Sequence, residues 1–388
     1  MVKSTRHNAS LDGLRGIASL LVVFSHMEAF VGLAASPSGL YMQQTLTWRI
    51  FRRLIDGEYY VSLFFVLSGY VLAQSFLRGG KTTHLFSVIL KRYFRLTPMV
   101  LGSTLFAYII SITVGFHTIE CAKNMGGHAW LVTHYSTALN FAQAIKNGLW
   151  GTYLGDATYN GSLWTIRIEY IGSIVLFVYC ALFYRSIYFF QIALLSAFLL
   201  CYFFGNDGLY CSLFLAGAVL VKNHLSLSSF WLLPTLLLAT QNPWSPEVMY
   251  VKTILPDGFG VHLSEICHAF ASILTMILVL TPGCLHKALS CSFFAFLGRM
   301  SFSMYAFHFP IVAGLGTEII DYGYSVDAPR LFAVLAIGAC LLTTVFVSIL
   351  VYPYLDLQPQ KFSGLIVKRL EHYSGYMLSR WRASCVKL

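Results

Sequence analysis

The sequence predicts an all-α fold: a polytopic transmembrane helical bundle of about ten spans with both termini in the cytoplasm. Three observations carry that expectation. Of 388 residues, 57% are hydrophobic and only 11% are charged, against roughly 25% charged in a soluble domain. Apolar runs long enough to cross hydrocarbon, about 17–25 residues, recur along the whole chain. The net charge of +10 is sorted by loop rather than spread evenly. A chain of this kind must satisfy its backbone internally in lipid, and helices do so.

Taken in order, the runs fall at 14–34, 59–77, 97–115, 167–184, 187–204, 208–222, 229–241, 265–281, 294–316 and 331–353. The run at 229–241 is short, so nine or eleven spans also fit. In the second run Ser68 and Gly69 are small enough to let a neighbouring helix approach closely. A stretch from 116 to 163, carrying Asn, Gly and His, separates the third run from the fourth. The last run leads into a basic tail, which divides the chain into a membrane domain (1–355) and a short cytoplasmic tail (356–388).

The positive-inside rule sets the orientation. With both ends inside, inward segments receive Lys3, Arg6, Arg78, Lys81 and Lys91, and the tail adds Lys368, Arg369, Arg380, Arg382 and Lys387. Outward segments receive most acids, among them Asp56, Glu58, Asp207 and Glu247. Arg49, Arg52 and Arg53 oppose the rule. A cleaved signal peptide is not expected, because cleavage after the small residues at 32–36 would discard His26.

Some functions are disfavoured at this level. The basic residues form no stripe interleaved with exposed aromatics, which argues against nucleic acid as a partner. The nine cysteines fall mostly within apolar runs and form no Cys-x-x-Cys pair, so neither a disulfide framework nor a metal site is expected.

Three constellations carry chemistry. Arg15 and His26 lie eleven positions apart, close to three helical turns, so both share one face of the first span. His26 is then about 16 Å deeper than Arg15. An ionisable group at that depth faces a protein-lined or watery cavity, or else ties two helices together by a hydrogen bond. In "LKRYFRLTP" (90–98), Arg92 and Arg95 are neighbours on a helical face near the cytoplasmic end of the third span. Their forks suit phosphate, although basic residues at an inner helix end also serve topology or anionic lipid alone. In "GSLWTIRIEYIGS" (161–173), Glu169 lies at the outer side of the fourth span, able to orient an imidazole, hold a sugar hydroxyl or pair with Arg167. A further intramembrane histidine, His308, precedes Pro310 in "LGRMSFSMYAFHFPIV" (297–312) and fits helix packing or substrate contact.

Five stretches in order resemble the acyltransferase 3 family of integral membrane O-acyltransferases, over residues 9 to 355. They are "LDGLRGIASLLVVFSH", "VSLFFVLSGYVLA", "KRYFRLTP", "SLWTIRIE" and "LGRMSFSMYAFHFP". The resemblance implies an acyl transfer in which His26 is the catalytic base and Glu169 a second catalytic residue. It assigns Arg92 and Arg95, with Arg15 beside them, to binding an acyl-coenzyme A donor such as acetyl-CoA. Ser68, Trp164 and His308 lie in matching segments and are candidate substrate contacts. No permanently bound cofactor is implied. The expected partners are acyl-CoA, a carbohydrate acceptor, free or lipid-linked, and the lipid bilayer. The expected acceptor is a sugar hydroxyl of a cell-surface glycan such as lipopolysaccharide O-antigen or exopolysaccharide, and the expected compartment is a bacterial inner membrane. "WTIRIEYIGS" departs from the family by lacking the acidic and aromatic residues that often follow the glutamate.

Physics and resemblance meet at His26. Cytoplasmic coenzyme A carries phosphates that need cations at an inner mouth, and its pantetheine arm would carry the thioester toward the buried imidazole. With an ordinary pKa of about 6.5, that imidazole can take a hydroxyl proton. The competing class is a proton-coupled transporter of a small anion or sugar, which uses the same residue types.

Overall fold

The computed structural model describes residues 8–35, 52–78, 85–125, 134–135, 138–243, 245–254, 261–367 and 369. Lys3, Arg6, Arg49, Lys81, Lys368 and residues 370–388 of the basic tail lie outside these residues. Among the described residues the chain is helical, with no strand.

The principal helices are α1 (Ala9–His26), α2 (Glu28–Ala35), α3 (Gly57–Arg78), α4 (Leu85–Thr113), α5 (Trp164–Phe183), α6 (Phe189–Lys222), α7 (Leu263–Leu280), α8 (Ser292–Arg299), α9 (Ser301–Ile311) and α10 (Pro329–Val351). Six helical segments among the described residues are long and apolar enough to cross a membrane. There are seven if α1 and α2, bent by 62° at Met27, act as one. Two expected runs, 187–204 and 208–222, form a single helical segment broken at Gly205, whose φ of 56° and ψ of −131° suit a residue without Cβ. The run at 229–241 gives only a short helix, Ser229–Ala239. The run at 294–316 is divided into α8, α9 and a π-helical turn.

Hydrocarbon gives helices no hydrophobic reason to associate, so close packing has to do it. Gly13 and Gly16 of α1 meet α8 and the helix before it. A Cβ at Gly13 would collide with the carbonyl of Leu289, and one at Gly298 with that of Asp12. Gly69 of α3 and Gly217 of α6 make the same kind of contact, each backbone against backbone. The small-residue approach expected at 68–69 therefore exists. Polar side chains such as Ser19, Ser103 and Ser173 are fully buried, while Leu342 and Phe346 of α10 are 75% and 61% exposed, as suits a lipid-facing surface.

The stretch between the third and fourth spans enters the bundle. Asn160 is fully buried, and its amide donates to Ser103 Oγ and to the Ala306 carbonyl, both at 2.7 Å. Its Oδ1 accepts from the Ser162 N–H at 3.0 Å. Irregular backbone is tolerated at this depth because protein rather than lipid surrounds it. As a result α5 begins inside the bundle and carries Glu169 with it.

Candidate active site

Two polar centres lie along α1. The first is a cavity of about 260 Å³ around Arg15, Ser68, Arg92, Arg95, Glu169 and Asp356. It brings together five of the expected residues from four helices. Arg92 is 7% exposed and is ion-paired with Glu169, while its Nε has no hydrogen-bond partner. Arg15 and Arg95 form no ion pair with a described residue, although both line the cavity. Asp12 and Arg299 line it as well, and guanidinium donors that open on a cavity without an ion-pair partner can receive an anion.

This geometry corrects the expected location of Glu169. It lies against Arg92 on α4 instead of apart from the arginines, because the connection before α5 enters the bundle. The local alternative, Arg167 with Glu169, is not formed. Residues two apart on a helix diverge, and Arg167 pairs instead with Asp207 at 3.3 Å.

Other cavity residues had no signal in the sequence. Asp356 belongs to a π-helical turn, Tyr352–Leu357, and the helical segment continues to Val367. The start of the tail, residues 356–367, is therefore helical. Asp356, 6% exposed, and Gln360 both line the cavity, with Gln360 Nε2 donating to Asp356 Oδ1 at 2.9 Å. Tyr305 and Phe302 also line it. The Tyr305 hydroxyl is bonded to the Ser162 carbonyl and lies 2.7 Å from Thr165 Oγ1.

The second centre begins one turn beyond Tyr305. Helices α1 and α9 run side by side, with Ser19 Oγ 3.9 Å from Met304 Sδ and His308 Nε2 3.2 Å from His26 Nδ1. His308 Nδ1 faces two carbonyls, Tyr305 at 2.7 Å and Met304 at 3.1 Å. Carbonyls only accept, so Nδ1 carries the proton and Nε2 of neutral His308 presents a lone pair. His26 Nδ1 then faces that lone pair and the Val22 carbonyl at 3.0 Å, so it too carries its proton. The tautomer fixed in this way leaves His26 Nε2 as the basic nitrogen. Phe309 packs edge-on against His26 at 5.2 Å and against His134 at 4.9 Å. Beside it, burial raises the Tyr135 hydroxyl well above its ordinary pKa and keeps it a donor to the Tyr159 carbonyl at 2.9 Å.

Trp164 joins neither centre. Its ring packs on Tyr210, 5.6 Å between centroids.

A family model described as an acyltransferase domain matches residues 8–352, nearly the whole membrane region. The chain belongs to the acyltransferase 3 family. Among curated proteins, O-acetyltransferase PaAT-1 of Phomopsis amygdali is 25% identical over 432 aligned positions, which cover 94% of this chain and 85% of that protein. No solved structure matches. The protein is thus an integral membrane O-acyltransferase. The acyltransferase 3 match runs through α1, α3, α4, α5 and α9, the helices that carry both centres.

Proposed function

We propose that this O-acyltransferase takes an acetyl group from acetyl-CoA and transfers it to a hydroxyl of a carbohydrate acceptor, with the arginine cavity holding the donor and His26 acting as general base. The observation that carries the reading is the pairing of the two centres on one helix. An anion site of about 260 Å³ is smaller than the roughly 300–1,000 Å³ of a pocket for a whole drug-sized ligand. It suits one phosphate-bearing part of coenzyme A, with the pantetheine arm extending past Tyr305. Arg15, Arg92 and Arg95 would bind that part, and Glu169 would hold the Arg92 fork in place.

At the far end, His26 Nε2 removes the proton of the acceptor hydroxyl as its oxygen attacks the thioester carbonyl. The tetrahedral intermediate collapses by breaking the carbon–sulfur bond, and the proton on His26 goes to the departing thiolate. His308 fixes the tautomer needed for the first step. With both termini cytoplasmic, the orientation that the loop charges imply, the arginines would face the coenzyme A side. In this reading the acceptor approaches from the opposite side, and a glycan of the bacterial inner membrane, lipid-linked or not, is the acceptor class implied by the resemblance.

The test is transfer of radiolabelled acetyl from acetyl-CoA to carbohydrate by the purified protein. Labelled product that depends on His26 supports the reading. Acetyl-CoA-independent movement of sugar or anion across a vesicle membrane, with no labelled product, would support the transporter instead.

A further inference from the structure

Beyond His26 the bundle holds a third group of ionisable side chains, which acyl transfer does not use. Asp56 and Glu58, at the start of α3, and His268, in the second turn of α7, offer ligand atoms that all lie within 4.8 Å of one another. His268 is fully buried, and neither ring nitrogen has a hydrogen-bond partner. The backbone of Gln241 lies close to the ring. Glu265 flanks the group, with Oε2 4.0 Å from His268 Nδ1 and accepting from the Tyr210 hydroxyl at 2.7 Å.

Charge is the difficulty here. Three carboxylates gather around an imidazole, and no described Lys or Arg forms an ion pair with any of them. The neighbouring Arg52 is engaged by Glu28 at 2.7 Å. Buried polar groups without partners are costly, and like charges at this spacing repel unless a shared proton, as between Glu58 and Glu265, or a metal cation sits between them. The spacing matches a cation. Bonds of about 2.0–2.4 Å put opposite ligands about 4–5 Å apart. Glu265 and His268 also form a Glu-x-x-His pair, one helical face projecting a carboxylate and an imidazole together, as in metal-binding helical bundles.

We infer that Asp56, Glu58 and His268, with Glu265 as fourth donor, bind one divalent first-row cation of the zinc or manganese type. The imidazole disfavours magnesium and calcium, and the carboxylates disfavour copper(I). Glu58 is exposed and gives the ion its way in. The ion would join α3 to α7 and, through Tyr210, to α6. A Cβ at Gly57 would touch Ser25 Oγ, so the same ion braces the segment packed against the residue before His26. The sequence could not announce this site, because its donors come in two pairs some two hundred positions apart with no cysteine among them.

The test uses full-length, tag-free protein in detergent, equilibrated with zinc or manganese, desalted and assayed by elemental mass spectrometry. About one equivalent per chain is expected to remain, with thermal unfolding shifted upward by the metal. His268→Gln should abolish both effects. Glu58→Gln, an isosteric change at an exposed position, should weaken retention and guards against a variant that fails to fold. Only trace metal in the wild-type protein, or one equivalent retained by both variants, would overturn the site. Because the readout is metal content rather than acyl transfer, the acyltransferase reading stands or falls separately.

Discussion

His308 Nε2 lies 3.2 Å from His26 Nδ1, while the other nitrogen of His308 is fixed by the Tyr305 and Met304 carbonyls. One histidine thereby selects the tautomer of the other. The pair directs the His26 lone pair, and under the proposed function it gives the general base a defined direction.

His26→Ala removes the base itself. Transfer should fall by about 10²–10⁴-fold while the protein still inserts and binds donor. Steady-state kinetics on purified protein at matched abundance checks this, and near-normal turnover would remove His26 from the mechanism.

His308→Phe keeps the packing but deletes the acceptor that fixes the His26 tautomer. Turnover should drop by less than the His26→Ala loss, within the same range of about 10²–10⁴, with the apparent donor affinity unchanged. A variant that alters donor affinity and leaves turnover intact would make His308 a packing residue only.

Arg95→Ala and Arg15→Ala each delete a guanidinium that opens on the cavity without a protein ion-pair partner. Hydrogen bonds to charged groups contribute about 1.5–3 kcal/mol, so the donor KM should rise by roughly 10- to 150-fold with turnover largely kept. If both changes leave donor binding untouched, the arginines serve topology alone.

Arg92 and Glu169 are partners across α4 and α5, so their effects should not add. A double-mutant cycle with Arg92→Gln and Glu169→Gln, read as donor binding, should give a coupling of about 0.5–3 kcal/mol. Strict additivity would mean that the glutamate acts elsewhere, for instance on the acceptor.

Gly298→Ala inserts a methyl against the Asp12 carbonyl at the α1–α8 crossing. Overpacking of this kind costs about 1–3 kcal/mol, and the unfolding temperature in detergent should fall accordingly. An unchanged unfolding temperature would show that the two helices can separate without loss.

The sequence by itself determined the fold class, the membrane setting and the helices that carry chemistry. Hydropathy and the order of five motifs are local properties, and they persist in any packing of the chain. The shared face of Arg15 and His26 was legible for the same reason, since helical periodicity fixes it. The break at Gly205 and the π-helical turn at 352–357 were not legible, because apolar composition does not distinguish a straight helix from a kinked one. Nor was the union of Arg92 with Glu169. It depends on a connection that dives into the bundle, and only the buried Asn160, bonded to Ser103 and Ala306, makes that path affordable. Asp356 looked like the first residue of a tail until the continuing helix aimed it at the arginines. Contacts between distant segments are set by which surfaces pack together. A linear pattern nominates a base such as His26, but the packing of α1 on α9 decides which of its two nitrogens is basic.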